Sequence, residues 1–315
     1  MKKIGILYGQ ENSFPQAFID QVNRICGPDV LAESVVIDKA LQGGVPEYTV
    51  IVDRISHDVP FYRAWLKEAA LRGTAVLNNP FWWSADEKFF NNALALQTGV
   101  PVPPTALLPA YEQPVNTNAR SFRNLAFPLD WEGIFRHVGF PAFMKPYAGG
   151  GWRDVYYIQD REQFFLQHKQ TGQETMMLQA AVDWDDYYRC YCIGCKEVRI
   201  MPYDPGKPHE DRYVPERHPN PALYACLEEY TLVLNRALGY DFNTVEFAVK
   251  DGTPYAIDFC NPAPDAGLQS VGAANFAWFT EKAAAYALER ATAAVPGEIN
   301  LSWGTFIRRA AGIHE

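Results

Sequence analysis

The sequence predicts a mixed architecture, an α/β lobe followed by α+β subdomains, and three observations support it. Strand-like and helix-like segments alternate over roughly the first 80 residues, the pattern of a parallel sheet with crossover helices. Farther on, Asp251-Gly252 joins two strand-like runs, a strong hairpin signal. At 315 residues the chain is also too long for one ordinary core, so two or three packed lobes are expected.

The first lobe opens with an apolar run over 4–8 and a helix after Ser13. Ser34-Val35-Val36-Ile37-Asp38 reads as the next strand, followed by a strand over 49–53, a helix over 61–72 and a strand over 74–77. A helix from Asp86 to Gln97 is stopped by Gly99 and by Pro101, Pro103 and Pro104, which favour an extended exit. The stretch from Pro109 to Pro128 is irregular, and a helix over 131–138 then leads into Pro141-Ala142-Phe143-Met144-Lys145-Pro146, a strand limited by its proline. A glycine turn at 149–151 precedes a strand over 155–158, a helix over 160–168 and strands over 176–182 and 187–193. A helix over 221–238, the hairpin strands 244–249 and 254–259, and an alanine-rich helix over 274–294 complete the chain. These divide into expected domains at 1–82, 83–182 and 183–315.

A formal charge of -9 argues against a general nucleic-acid binder, which needs a basic face to neutralise phosphates. The apolar run after Lys2 and Lys3 ends too early for a signal peptide, and no later segment approaches a membrane span. A cytoplasmic location without membrane attachment is the resulting expectation. Six cysteines are too few for a disulfide scaffold in a chain this long. Cys190, Cys192 and Cys195 are close enough to share an ion, but no paired CxxC or histidine cluster supplies the remaining ligands. Small buried strand residues are the better reading.

Three features carry chemistry. Lys145 ends a strand just before Gly149-Gly150-Gly151, where a glycine turn would let backbone N–H groups approach phosphate oxygens beside a compact positive charge. A solvent hairpin with an incidental lysine is the alternative. The segment is neither a Walker A loop, since GxxxxGK[ST] is missing, nor a Rossmann turn, since a strand follows it. Glu246 and Asp258 interrupt apolar strands, where an unpaired carboxylate is expensive to bury and Mg2+ is a natural partner. An arginine pair for one acid and solvent for the other is the competing arrangement. Third, Asp86-Glu87-Lys88 opens a helix after Asn78-Asn79-Pro80; read locally, Lys88 is a surface residue.

Taken in order, these segments resemble the ATP-grasp superfamily, most closely the branch containing glutathione synthetase and the ribosomal-protein glutamate ligases. The resemblance covers about 75–265, with a looser match to the preceding lobe. It implies an ATP-grasp fold: an N-terminal parallel α/β lobe, a central lid subdomain and a C-terminal mixed-sheet subdomain. It further implies that Lys88 and Lys145 bind nucleotide and that Gly149, Gly150 and Gly151 form a loop covering the phosphates. Gln179, Ala181 and Val182 would belong to a hinge whose backbone reads adenine, with Asp185 or Asp186 near the ribose. Arg189 matches an arginine that holds phosphate or the activated carboxylate, a role suited to its planar fork.

Glu246, Asp258 and Asn261 match the magnesium ligands, with Mn2+ as a substitute ion. The last acid and asparagine are three residues apart here, where the family commonly spaces them two apart; a bulge would restore the geometry. The implied activity is ATP-dependent carboxylate–amine ligation through an acyl phosphate, on small-molecule or peptide substrates. Carboxylate activation for a thiol or other acceptor, or a non-catalytic nucleotide sensor or scaffold, remain alternatives, and a homo-oligomer is left open. Arg54 follows a first-lobe strand, where α/β sheets place ligands, and is the candidate for a substrate carboxylate; a surface salt bridge is the competing reading. No roles are assigned in the polar segment containing Arg199, Tyr203, Lys207, His209, Arg212 and Arg217.

Overall fold

The computed structural model describes residues 1–43, 47–81, 87–149, 153–215 and 220–295. Along the chain, β1 (Lys2–Leu7), α1 (Phe14–Ile25), β2 (Val30–Ser34), β3 (Val50–Asp53), α2 (Pro60–Leu71) and β4 (Ala75–Leu77) come first. Next are α3 (Lys88–Gln97), β5 (Thr105–Leu108), α4 (Trp131–Val138), β6 (Ala142–Pro146), β7 (Tyr156–Ile158), α5 (Arg161–Gln170) and β8 (Met176–Ala180). The chain continues with β9 (Asp186–Ile193), β10 (Glu197–Pro202), α6 (Pro221–Leu238), β11 (Phe242–Lys250) and β12 (Thr253–Asp258). The short α7 (Leu268–Val271) and the long α8 (Ala273–Ala293) follow.

Two compact units result. The first comprises Met1–Trp83, Asp186–Phe247 and Asp258–Glu315; the second comprises Ser84–Asp185 and Ala248–Ile257. In the first unit a parallel sheet has the order β2-β1-β3-β4, with Ile4 opposite both Ala32 and Val50. One face of this sheet packs on α1 and α8. Phe14, Phe18 and Val22 recur every four residues on α1, and Phe279, Ala283, Ala287 and Ala291 do the same on α8, so each helix turns one stripe inward. Phe14 and Phe279 meet at 4.8 Å between ring centroids, and truncating either to alanine should cost roughly 3–5 kcal/mol. The other face carries α2 through Leu66 and Ala70 against Ile51 and Val76. Buried Tyr191, Ile193 and Met201 of β9 and β10 join the α1 and α8 side of this core. The sheet to which those strands belong has the order β10-β9-β11-β12.

Asn78 fastens the two sheets of the first unit. Its Oδ1 accepts from the Asp241 and Phe242 amides at 2.7 Å each, and its Nδ2 donates to the Phe242 and Pro262 carbonyls at 2.8 Å each. All four hydrogen-bonding sites of a buried amide are thereby used. The base of β11 and the segment after β12 are set by this one side chain.

The second unit holds an antiparallel sheet of order β5-β8-β6-β7. Its core joins Met144, Leu178 and Ile158 to Phe135 of α4 and Phe164 of α5. Both helices begin at an aspartate, Asp130 and Asp160, whose carboxylates accept from the Gly133 and Gln163 amides at 2.9 Å. The tip of the β11–β12 hairpin also falls in this unit. Asp251 and Gly252 both have positive φ, 49° and 75°, as a two-residue turn between twisted strands requires.

The expected strand over 34–38 is corrected: β2 runs over Val30–Ser34 and stops where that strand was to begin. Val35, Val36 and Ile37 lie beyond the parallel ladder; Val35 and Ile37 cover the α2 side of the core, while Val36 is exposed. The Val35 amide still donates to the Ile6 carbonyl of β1 at 3.0 Å, and beyond it the apolar run serves packing. Strands β5 and β10 were also unforeseen. Cys190 and Cys192 are buried strand residues, and all six cysteines are free. Burial pushes the Cys190 thiol up to about 12, as for a packed strand residue. Among the described residues no helix is long and apolar enough to cross a membrane.

Candidate active site

In the second unit, Lys145 and Gln179, both matched to nucleotide binding, meet in a buried polar chain. Lys145 of β6 stands across from Met177 of β8, and Gln179 is paired with Phe143, so Lys145 and Gln179 are diagonal neighbours on one face. Lys145 Nζ donates to Gln179 Oε1 at 2.8 Å. Gln179 Nε2 donates in turn to Asn92 Oδ1 at 3.0 Å and to Thr105 Oγ1 at 3.1 Å. Lysine, glutamine, asparagine and threonine thus form a buried chain running from β6 through β8 to α3 and β5.

Lys88, the first residue of α3, donates its backbone N–H to the Tyr147 carbonyl at 2.6 Å and its Nζ to the Gly149 carbonyl at 2.5 Å. The start of α3 is therefore tied to the segment leaving β6. Gly149 has φ +85°, a conformation that side-chain-bearing residues rarely adopt. Gly150, Gly151 and Asp86 lie outside the described residues.

At the end of β8, the Ala181 amide is committed to the Pro141 carbonyl at 3.0 Å. No hydrogen bond of the Val182 backbone is present among the described residues. Asp185 is occupied with the hairpin tip, accepting from the Asp251 amide at 2.9 Å and from Lys250 Nζ at 3.1 Å. These two contacts hold its carboxyl below the ordinary range. Asp186, the first residue of β9, is exposed and belongs to the first unit.

The residues matched to metal binding lie in the first unit. Arg189 on β9 and Glu246 on β11 approach to 3.5 Å, with side-chain exposures of 10% and 17%. Tyr187 donates to Glu246 Oε2 at 2.8 Å. Arg189 reaches Tyr213 Oη at 3.2 Å and Thr244 Oγ1 at 3.3 Å. Burial pushes the Glu246 carboxyl above the ordinary range; Arg189 opposes the rise and nearby Asp258 adds to it. The two acids are close enough to repel, and a cation would relieve both the burial and the repulsion.

Asn261 is fixed indirectly. Its amide N–H donates to Asn243 Oδ1 at 2.8 Å, while Asn243 Nδ2 donates to the Phe259 carbonyl at 2.7 Å. Buried Asn243 thereby sets the path of the chain just after Asp258. Among the described residues no group of three or more His, Cys, Asp or Glu gathers as a metal centre. Two carboxylates with an amide oxygen would suit a hard ion that keeps other oxygen ligands.

Arg54 is buried at the end of β3. Its Nε and Nη2 grip both carboxylate oxygens of Glu11, the Nε contact at 3.0 Å, and Nη2 also donates to the Pro264 carbonyl at 2.6 Å. Asn92, Tyr187 and Asn243 were not singled out from the sequence. Each is an ordinary strand or helix residue whose partner is remote along the chain.

Comparison with solved structures places this chain among proteins of one fold. The D-alanine–D-alanine ligase of Bacillus anthracis matches 93% of this chain and 98% of its own, with 16% identity and a TM-score of 0.59. A RimK domain ATP-grasp protein from Sphaerobacter thermophilus matches 92% and 99% at 12% identity, with a TM-score of 0.61. The ATP-grasp ligase PsnB, in a complex with a minimal precursor, Mg and ADP, matches 92% and 98% at 13% identity and 0.60. No protein-family model matches the chain, and no curated protein does. The chain has the ATP-grasp fold, as the order of its motifs implied.

Proposed function

We propose that the chain is an ADP-forming ligase that joins a carboxylate to an amine at the expense of Mg-ATP. The observation that carries this reading is the Glu246–Asp258 pair. Two neighbouring acids interrupt apolar strands; Arg189 at 3.5 Å and the Tyr187 hydroxyl at 2.8 Å partner Glu246, and a further cation would offset the repulsion that Asp258 adds. Glu246, Asp258 and Asn261 would hold Mg2+, and the ion would supply charge neutralisation at the ATP phosphates.

Lys145 and Lys88 neutralise phosphate oxygens as point charges, and Gln179 holds the Lys145 ammonium in place. Val182 offers its backbone to the adenine edge. Arg189 stabilises the transferring phosphoryl group or the acyl phosphate. In the first step a carboxylate oxygen of the substrate attacks the γ-phosphorus, and the bond to the β,γ-bridging oxygen breaks to release ADP. In the second, the amine attacks the acyl carbon, the carbon–oxygen bond to phosphate breaks, and the amine loses a proton. Positioning and electrostatics carry both steps, with little covalent work for the protein.

The test is ADP release from Mg-ATP in the presence of pooled amino acids and short peptides. Acceptor-dependent ADP supports the ligase. Tight ATP binding with no acceptor-dependent turnover would favour a nucleotide sensor.

A further inference from the structure

Three tyrosines of the first unit surround the Arg189–Glu246 pair, and their hydroxyls serve it differently. Tyr187 donates its proton to Glu246 Oε2 at 2.8 Å. Tyr203 lays its ring against the Arg189 guanidinium at 5.4 Å, a cation–π contact. Tyr213 accepts: Arg189 Nη1 donates to its oxygen at 3.2 Å, and no acceptor for its own hydroxyl proton is present among the described residues. Burial pushes this phenol up to about 12, with Arg189 opposing the rise, so it keeps its proton near neutral pH.

The backbone fixes that donor in place. Tyr213 pairs with Tyr203 in an antiparallel bridge, and their rings meet edge to face at 5.1 Å between centroids. On either side of the bridge the Asp204 amide donates to the Arg212 carbonyl at 2.8 Å and the Val214 amide to the Pro202 carbonyl at 3.1 Å. Arg212 Nε closes the intervening turn on the Lys207 carbonyl at 3.0 Å. A donor held this way needs little reorganisation when charge develops beside it.

Arg189 and Tyr213 divide the work by burial. The Arg189 side chain is buried, and its three nitrogens already face Tyr213, Thr244 and Glu246. Tyr213 is half-buried. A phenol that accepts from a guanidinium is a stronger donor on its other side, because hydrogen bonds in a chain polarise one another. Glu246, the acid proposed to hold the ion, lies 3.5 Å from the same guanidinium, so the phosphates which that ion neutralises come to this end of the site.

We propose that Tyr213 is a catalytic residue of the ligase, its hydroxyl donating to a non-bridging oxygen of the phosphoryl group in transit, and that Arg189 acts on that group through Tyr213. This rests on the ligase reading. The bond to the β,γ-bridging oxygen breaks and the bond to the substrate carboxylate forms as in the first step above, while the Tyr213 proton stays on its own oxygen. Its contribution is charge stabilisation. Thr244, which holds the other end of the guanidinium, is a positioning residue.

The experiment is isothermal titration of the full chain with Mg-ADP, with and without fluoroaluminate, which stands in for the transferring phosphoryl group. Pooled amino acids and short peptides supply the carboxylate. In the parent, fluoroaluminate should tighten ADP binding by about tenfold or more. Tyr213→Phe should keep the parental Mg-ADP affinity, which also shows that it is folded, and should lose about tenfold of the tightening. Thr244→Val loosens Arg189 but leaves the Tyr213 hydroxyl in place, so its loss should be clearly smaller. The proposal is overturned if fluoroaluminate tightens binding equally in the parent and in Tyr213→Phe, or in neither. It is overturned too if Tyr213→Phe loses Mg-ADP affinity to the same degree, or if Thr244→Val loses as much, which would make Tyr213 a support for Arg189 alone. Failure of the ligase reading looks different: the parent chain then binds no Mg-ADP at all, or binds it without acceptor-dependent ADP release from ATP.

Discussion

Tyr187 donates its phenolic hydroxyl to Glu246 Oε2 at 2.8 Å, from the strand next to the one that carries the acid. Both groups are buried enough that neither has a cheap alternative in water. Burial drives the Tyr187 phenol well above its ordinary range, with the Glu246 charge adding to the rise, so it remains a donor at any working pH. Tyr187→Phe should cost about 1 kcal/mol of stability, the worth of one hydrogen bond. It should also shift the magnesium concentration needed for half-maximal turnover, because the carboxylate loses the contact that orients it. Unchanged magnesium dependence in that variant would detach Tyr187 from the site.

Lys145 and Lys88 differ in how they are held, and their variants should differ accordingly. The Lys145 ammonium is buried and bound to Gln179, so Lys145→Ala leaves the glutamine oxygen unsatisfied and should lower both ATP affinity and stability. Lys88 is less buried and reaches the Gly149 carbonyl, so Lys88→Ala should mainly weaken ATP binding. A loss of about tenfold or more is expected for each, the scale of a hydrogen bond to a charged group. Isothermal titration with ATP checks both, and parental affinity in either variant removes that lysine from the site.

A pH effect should come from outside the candidate site. His168 stacks on Phe164 at 5.5 Å between centroids, and its Nε2 lies 3.0 Å from the Pro109 carbonyl. Burial lowers its pKa from the ordinary 6.5, with the Pro109 contact opposing the shift. The unfolded chain therefore takes up this proton first as the pH falls. Stability attributable to neutral His168 is full above the ordinary histidine range and is lost as the pH drops through 6.5 toward the folded value. Urea unfolding between about pH 5 and pH 8 should show this slope in the parent and a flatter one in His168→Gln. Equal slopes would place the titration on other groups.

Much of the fold was legible because its signals are local. Asn220 accepts from the Ala222 and Leu223 amides, Pro221 sits in the first turn and Gly239 closes α6 with φ +69°, so this helix lies where its punctuation placed it. The Asp251-Gly252 turn between β11 and β12 was equally plain. Less legible were features decided by distant partners. Val35 to Ile37 look like a strand, but the ladder ends after the Val35 amide, which donates to the Ile6 carbonyl of β1, and their apolar side chains were ambiguous between packing and pairing. Asn78 binds the backbone of Phe242 across 164 positions of sequence, and the links from Lys145 to Gln179 and from Gln179 to Asn92 span 34 and 87. Such contacts carry no period. The acids at 246 and 258 stood out because they interrupt apolar runs, whereas Asn243 and Tyr187 blend with the polar and aromatic residues that strands commonly hold.

The central claim is that Glu246 and Asp258 hold the magnesium on which ATP turnover depends, and ADP production against magnesium concentration tests it most directly. Glu246→Gln and Asp258→Asn keep the side-chain shape but each removes one negative charge from a site that needs anionic oxygens. Magnesium-dependent ADP formation should fall by about a hundredfold or more in both. The free variants should be no less stable, and Glu246→Gln more stable near neutral pH, because burial and the Asp258 charge both disfavour the parent carboxylate. Parental magnesium dependence in both variants would contradict the metal assignment and leave the ATP-grasp fold standing without it.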